Sequence, residues 1–573
     1  MSFPSPITAL KLRVSTGAPP NVQTFEQPIP SASMNGNSFQ ITNALLLDAF
    51  SQQPAGTQFT PSVIVTYNPG TFPDIFPSGN VLSVPSVSNF IPKQTTPNLY
   101  LANIPEKSST DSPFSLSDFI TTNSGGGLSY SSSVPSVATV NSSGEVTPVD
   151  AGTTTITVNL AASADGQFTA AGPVSRQFVV LPTWRQRGLN IIGEATGDYS
   201  GGSVSLSSNG TTVAIGAMRN SGNGAQSGHV RVCDYSSENN VWTQRGSDID
   251  GEVTGDLSGI SVSLSSDGNI VAIGAIGHNN ETGTTRVFYW DTTVTPNRWT
   301  QRGLRIVGDA YSDHSGCSVS LSSTGNTLAI GARYGNNFKG QARVYDWDIT
   351  VTPNMWTQRG SNINGDAEDN DFGWSVSLSS QGNTVAVGAP GNNNNRGGTT
   401  RIYDWDITNG WTQRGSGING EVSSDYSGTS VSLSSQGNVV VIGSPYNNDS
   451  KGQVRVFYWN TTVTPNQWTQ RGSSINGEVG GERSGTSVSV SSDGNIIAIG
   501  APYVNSYTGK TRVFSWNTAV TPNQWTQRGS NLDGARSYIY SGTSVSLSSE
   551  GNIVAIGAPY GNDAGNTRVH KYH

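Results

Sequence analysis

Cysteine, lysine and long apolar runs are what this sequence most lacks. Its 573 residues hold two cysteines, Cys233 and Cys317. They fall in different units of an internal repeat and on different strand types. No disulfide framework is therefore expected, and the redox compartment stays open. Only seven lysines occur, and the formal net charge is −8. A nucleic-acid or anionic-membrane partner would need a basic face, so neither is expected. No apolar stretch approaches the ~18 residues of a membrane span. The opening Met-Ser-Phe-Pro-Ser-Pro-Ile-Thr-Ala-Leu-Lys lacks a basic start followed by an apolar run, so no standard signal peptide is expected. Charged residues are only 12%, yet 13 Trp, 19 Tyr and 17 Phe argue against disorder.

What the chain has in plenty is Gly (68 residues), with abundant Asn, Ser and Thr. Gly and Asn serve tight turns, so the composition points to an all-β protein with many hairpins. The order within it is a repeat. Trp184, Trp242, Trp299, Trp356, Trp411, Trp468 and Trp525 each open a Trp-(Thr/Arg)-Gln-Arg-Gly segment, at spacings of 58, 57, 57, 55, 57 and 57. Every unit then carries a Ser-Val-Ser-(Leu/Val)-Ser alternation, a Gly-containing turn and an apolar run such as Ile270-Val-Ala-Ile-Gly-Ala275. An Arg-(Val/Ile) strand with an aromatic four positions on follows, from Arg231 to Arg568.

Each unit therefore reads as four antiparallel strands. The small Ser/Val strand suits a crowded centre, and the continuous apolar strand suits burial between two sheets. Four strands repeated seven times is the pattern of a seven-bladed β-propeller over 183–573. The last unit stops after its third strand, and an unpartnered fourth strand stands at 184–188. Pairing the two would close the ring and remove its open edge. The Trp and Arg present in every unit are expected to hold units together, through carbonyl hydrogen bonds and stacking.

Phe372-Gly373 with Gly388-Ala389-Pro390 resembles the FG-GAP repeat, the blade unit of integrin α-chain propellers and of many surface proteins. Gly443-Ser444-Pro445, Gly500-Ala501-Pro502 and Gly557-Ala558-Pro559 resemble its second half. The resemblance covers about 390 residues and all seven units, and implies a propeller fold. Many FG-GAP blades hold calcium in the turn between the first two strands. Here that turn is Ser-Ser-x-Gly, with Asp only at Asp267 and Asp493, so calcium is not carried over. Neither a metal nor another cofactor is expected. His229, His278, His314, His570 and His573 show no ligand spacing such as His-x-x-x-His.

Upstream, residues 113–182 hold short strands between turns, as a small sandwich does. The stretch from Ser133-Val134-Pro135 through Gly144 to Gly152-Thr153 resembles the bacterial Ig-like (group 2) domain, a spacer or adhesive module in surface proteins. Residues 1–112 are Pro-rich, with short β-like runs at 63–67 and 80–84. Leu45 to Phe50 is either a strand or a helical turn. This region is read as a β-rich anchoring or assembly domain.

Two loop sets share one face of such a propeller. Those entering each unit are acidic (Glu194 and Asp198, Glu252 and Asp256, through Glu478 and Glu482), and the seventh departs with Ala535 and Arg536. Those between the second and third strands are rich in Asn and Tyr and vary most. Variable loops on a repeated scaffold are where binding specificity usually lies. Asn amides pair with sugar hydroxyls and Tyr rings stack on sugar faces. The candidate ligand residues are Asn279, Asn280, Tyr334, Asn336, Asn337, Asn393, Tyr446, Asn447, Tyr503, Asn505, Tyr560 and Asn562. No catalytic residues are assigned, because the carboxylates recur unit after unit and no nucleophile motif stands out. The expectation is a non-enzymatic surface protein that attaches to a glycan or protein receptor, on the exterior of a virion as a minor capsid or fibre protein. Its N-terminal region would contact other structural proteins. The alternatives are a microbial cell-surface or secreted adhesin and, second, a glycan-processing enzyme.

Overall fold

The computed structural model describes residues 95–391 and 396–573, together with the backbone of six earlier strands between Ile7 and Ser83. The chain divides into two compact units, Met1–Pro182 and Thr183–His573. Nearly all of its regular structure is β, and no described helix is long and apolar enough to cross a membrane.

In the first unit, Gln23–Pro28, Ile7–Thr16, Phe59–Tyr67 and Val81–Ser83 form one antiparallel sheet in that order. The β-like run at 63–67 falls on Phe59–Tyr67, and of the run at 80–84 Val81–Ser83 forms the last strand, Asn80 and Val84 lying outside the described residues. Leu45 to Phe50 lies outside the described residues. Two larger sheets of the sandwich module follow. One has the order Leu128–Ser132, Gly152–Leu160, Ala171–Leu181 and Lys107–Ser108; the other has Ala138–Val140, Glu145–Pro148 and Phe114–Ser115. Gly152–Leu160 alternates buried and exposed residues, as a strand with one covered face must. Leu116, Val146, Ile156, Phe178 and Val180 meet in the core between the sheets. The module begins upstream of residue 113, because Lys107–Ser108 pairs in parallel with Val180 and Leu181, and Leu99–Leu101 pairs with Ile120–Thr122.

The second unit contains seven five-stranded sheets of one design. In each, an inner strand, a buried second strand, a third strand and an outer strand lie side by side, and a short fifth strand pairs with the third. Ser258–Leu264, Ile270–Ala275, Thr284–Asp291 and Arg298–Gln301 form one such sheet, with Ile306–Val307 beside Thr284–Asp291. The second strands are buried almost throughout because neighbouring sheets cover both faces. The apolar cores lie between sheets: Val204, Leu206 and Ile215 of the first pack with Ile553, Ala555 and Val569 of the seventh. Burial of each such branched side chain contributes about 1.5–3 kcal/mol.

The sheets close on themselves. Ser208 N–H donates to the Ser266 carbonyl, and the series continues through Ser323, Ser380, Ser435, Ser492 and Ser549, whose N–H returns to Ser208 at 2.8 Å. A second circuit runs through side chains. Leu264 N–H donates to Ser205 Oγ, the same bond recurs at every sheet, and Leu206 N–H donates to Ser546 Oγ. At the rim, Trp242 Nε1 donates to the Arg187 carbonyl at 2.7 Å, and each outer-strand Trp repeats this on the preceding sheet. Trp184 completes the circuit on Arg528 at 2.7 Å. The outer-strand Arg reach the other way, as Arg302 Nη1 does to the Gly325 carbonyl at 2.8 Å. The segment Trp184–Gln186 is the outer strand of the seventh sheet, with Trp184 opposite Tyr572 and Gln186 opposite His570.

The Gly of the apolar strand is required by contact between sheets. A Cβ on Gly388 would lie 2.1 Å from the Gly428 carbonyl oxygen of the next sheet. Gly388→Ala is therefore expected to lower stability by about 1–3 kcal/mol or more, read as a fall in the thermal midpoint. Burial, with Arg568 nearby, pushes the His570 imidazole down to about 3 from an ordinary 6.5. A histidine buried neutral binds its proton only once the chain unfolds. Stability on this account is complete above pH 6.5 and falls between pH 6.5 and about 3, by at most about 1.4 kcal/mol per pH unit. His570→Gln should flatten that part of the stability–pH curve in urea unfolding; an unchanged slope would refute the assignment.

Candidate functional site

The loops between second and third strands are built on an uncommon backbone. Asn279-Asn280-Glu281, Asn336-Asn337-Phe338, Asn448-Asp449-Ser450 and Asn505-Ser506-Tyr507 each run three residues in succession through the left-handed region, at φ between 50° and 64°. Asn tolerates that region better than other non-Gly residues. Its abundance in these loops has a conformational cause. Asn279, Asn280, Asn336, Asn337 and Asn505 remain exposed at the loop tips.

Asn447 takes a different part. It is 7% exposed, and its amide donates to Asp425 Oδ1 at 2.9 Å. It braces its loop against the loop entering the same sheet and offers no surface to a ligand. Asn393 and the side chain of Asn562 lie outside the described residues.

The acidic loops are also explained from within. Asp256 Oδ2 accepts the N–H groups of Glu252 and Val253, and Asp198, Asp313, Asp425 and Glu482 do the same in their loops. The acid four positions earlier faces the Arg of the third strand: Asp309 lies 2.7 Å from Arg343, Glu478 3.5 Å from Arg512, and Asp366 pairs with Arg401. These Arg also donate to carbonyls of the incoming chain, as Arg455 does to Asn419 at 2.6 Å. Asp267 and Asp493 each accept from Ser and Asn of their own turns.

Beside the exposed Asn tips, the loops carry a continuous row of aromatic side chains. Tyr199 and Tyr560 join hydroxyl to hydroxyl at 2.7 Å, with ring centroids 4.5 Å apart. Tyr560 continues to Tyr540 at 4.8 Å, and Tyr540 to Tyr507 at 5.1 Å, stacked, and to Tyr503 at 5.4 Å. The Arg483 guanidinium bridges Tyr503 and Tyr446, 4.0 and 4.6 Å from their centroids. Tyr446 meets Tyr426 at 4.8 Å, and Arg396 donates to the Tyr426 hydroxyl at 2.9 Å. At the far end Arg219 covers Tyr199 at 4.1 Å. The belt runs without a break from the first sheet through the seventh, sixth and fifth to the fourth. Beside Tyr426 and Tyr446, with Asn448 and Asp449, opens a pocket of about 560 Å³. Desolvation and the bond from Tyr199 push the Tyr560 hydroxyl up to about 12, so the phenol stays neutral and available for hydrogen bonding.

Of the residues predicted from sequence, Tyr446, Tyr503 and Tyr560 lie in this belt. Tyr334 stands in a separate cluster with His314, Phe338 and Arg333. Sequence reasoning missed Tyr199, Tyr426, Tyr507 and Tyr540 and the arginines between them. The signal was an aromatic directly after the loop carboxylate, as in Asp198-Tyr199 and Asp425-Tyr426, with Tyr540 at the matching place.

Residues 117–162 match the intimin immunoglobulin-like domain. That match lies inside the sandwich module of the first unit. A search of curated proteins finds no match. Among solved structures, hydrazine synthase of Kuenenia stuttgartiensis is similar at 12% identity and a TM-score of 0.44, covering 68% of this chain and 99% of its own. A putative 6-phosphogluconolactonase of Bacteroides uniformis is similar at 12% identity and a TM-score of 0.42, covering 58% of this chain and 85% of its own.

Asp425→Ala strips two backbone N–H groups and the Asn447 amide of their acceptor, and should cost about 1–3 kcal/mol in denaturant unfolding. Asn336→Gly, at a left-handed position, should change stability by less than about 0.5 kcal/mol.

Proposed function

We propose that this protein is a non-enzymatic attachment protein. On this reading the seven-sheet ring is a seven-bladed β-propeller of FG-GAP-like blades, the sandwich before it is an Ig-like spacer, and the tyrosine–arginine belt binds a glycan. The belt carries the proposal. Flat phenol rings pack against the C–H faces of sugars, and the Tyr and Arg polar groups at their edges serve the hydroxyls. Arg stacked between rings is held in place before a ligand arrives, which lowers the entropy lost on binding. The carboxylates of the same face are taken up by backbone N–H groups and arginines, which favours binding over acid–base turnover. The resemblance of both modules to surface-protein modules extends the proposal to display on a virion exterior, as a minor capsid or fibre protein assembled through its N-terminal region.

The test is a glycan array probed with the full chain and with Tyr540→Ala and Arg483→Ala variants. A specific glycan signal is expected, weakened at least about tenfold in either variant while the thermal midpoint holds. A signal that both folded variants retain, or none from the wild type, would reject the belt as a glycan site and leave a protein receptor as the partner.

A further inference from the structure

In the third, fifth and sixth sheets the third strand begins with a residue directed at the loop carboxylates that enter that sheet. In the third sheet Gln341 Nε2 donates to Asp309 at 2.8 Å, and in the fifth Gln453 Nε2 donates to Glu421 at 3.0 Å. In the sixth the residue is Lys510, which pairs with Glu478 and stands 3.0 Å from Glu482. Each supplies a proton donor or a positive charge to the acid. The first sheet has His229 at this place. It is 1% exposed, and neither ring nitrogen has a hydrogen-bond partner. Nδ1 lies 3.9 Å from Glu194 Oε2 and 3.6 Å from Asp248 Oδ2, and the three ligand atoms all fall within 4.8 Å of one another.

Those separations are too long for hydrogen bonds. They are close to the edge of a coordination tetrahedron, roughly 3.3–3.6 Å for metal–ligand bonds near 2.0–2.2 Å. The other oxygen of Asp248 accepts from Gln244 Nε2 at 2.7 Å, which turns Oδ2 toward the imidazole. Glu194 is half-exposed and stands 4.0 Å from Arg231 through its second oxygen, so it can close in by rotation alone.

We infer that Glu194, His229 and Asp248 form a binding site for a divalent cation of the zinc type, with water completing the shell. One imidazole nitrogen and two carboxylates are a borderline donor set, which suits Zn²⁺ or Co²⁺ better than Ca²⁺ or Mg²⁺. The ion supplies the first sheet with the charge that Lys510 supplies to the sixth. It also ties together the loops on either side of the first sheet, since Glu194 precedes that sheet's inner strand and Asp248 follows its outer one. The neighbouring group of Glu252, Asp256 and His278 is unlike it. Arg305 lies 2.8 Å from Glu252 and 3.0 Å from His278 Nε2, and His278 Nδ1 is bonded to Asp256 at 3.0 Å, so the protein already supplies that cation.

The test is a Zn²⁺ titration of the full chain by calorimetry, with Co²⁺ absorption reporting ligand geometry and a thermal midpoint with and without metal. The variant is His229→Gln, which installs the side chain that the third and fifth sheets already use and so keeps the fold. His278→Gln is the control. One equivalent of Zn²⁺ is expected to bind the wild type and the control and to raise their midpoints. Binding should be at least about tenfold weaker in His229→Gln, with no rise in midpoint. Equal binding by wild type and His229→Gln, or no binding by the wild type, overturns the inference.

Discussion

The second unit depends on hydrogen bonds that return to their starting point. The circuit of backbone bonds from Ser208 through Ser549, doubled by Ser hydroxyls one residue pair away, fixes how near each inner strand lies to the next. A circuit of seven closes only if every repeat turns by the same amount. Such a demand explains why each sheet has the same small inner residues, the same close Gly contact and the same indole bond to the sheet before it. The cores between sheets follow from this spacing: the first sheet packs on the seventh as it does on the second.

Residues that recur in every sheet are therefore committed to the ring, and function is left to those that do not recur. Tyr199, Arg483 and Tyr540 stand where other repeats have Leu257, His314 or Asp371, and His229 stands where others have Thr, Gln, Lys or Asn. The loops that carry them are anchored at their roots by shared bonds, such as Asp256 to Glu252 N–H. The variable side chains thus sit on a uniform base, and one face carries different chemistry in each sector.

Much of this was legible in the sequence, because strands leave local marks. The Ser/Val alternation, the apolar run and the evenly spaced Trp appear as the inner, second and outer strands. The partner of 184–188 could be named because one strand was missing at one end and spare at the other. The face was less legible. Asn in the variable loops looked like hydrogen-bonding surface, whereas much of it answers the left-handed backbone, and Asn447 is buried as a brace. The aromatic after each loop carboxylate hinted at the tyrosines, but not at their joining, since Tyr199 and Tyr560 lie at opposite ends of the repeat and meet only when the ring closes. The Glu194–His229–Asp248 cluster escaped the spacing rules for the same reason: its members come from a loop before the sheet, a strand within it and a loop after it. The sandwich module reaches back before 113 because two- and three-residue strands leave too little pattern to recognise.

The closure by Trp184–Gln186 also has a mechanical side. The first unit is tethered to the ring at Thr183, whose N–H and carbonyl both bond to His573. Tension arriving along the chain from residue 182 is taken first by the Thr183–His573 bonds and the adjacent pairing of Trp184 with Tyr572, and only later by the inner strands. Antiparallel strands loaded from one end give way pair by pair, so this seam is the compliant part of the ring. The Trp184 indole, held by the Arg528 carbonyl of the sixth sheet and packed on Tyr572, works as its latch. A chain pulled from residue 182 would yield at this latch while the loops on the far sheets keep their shape.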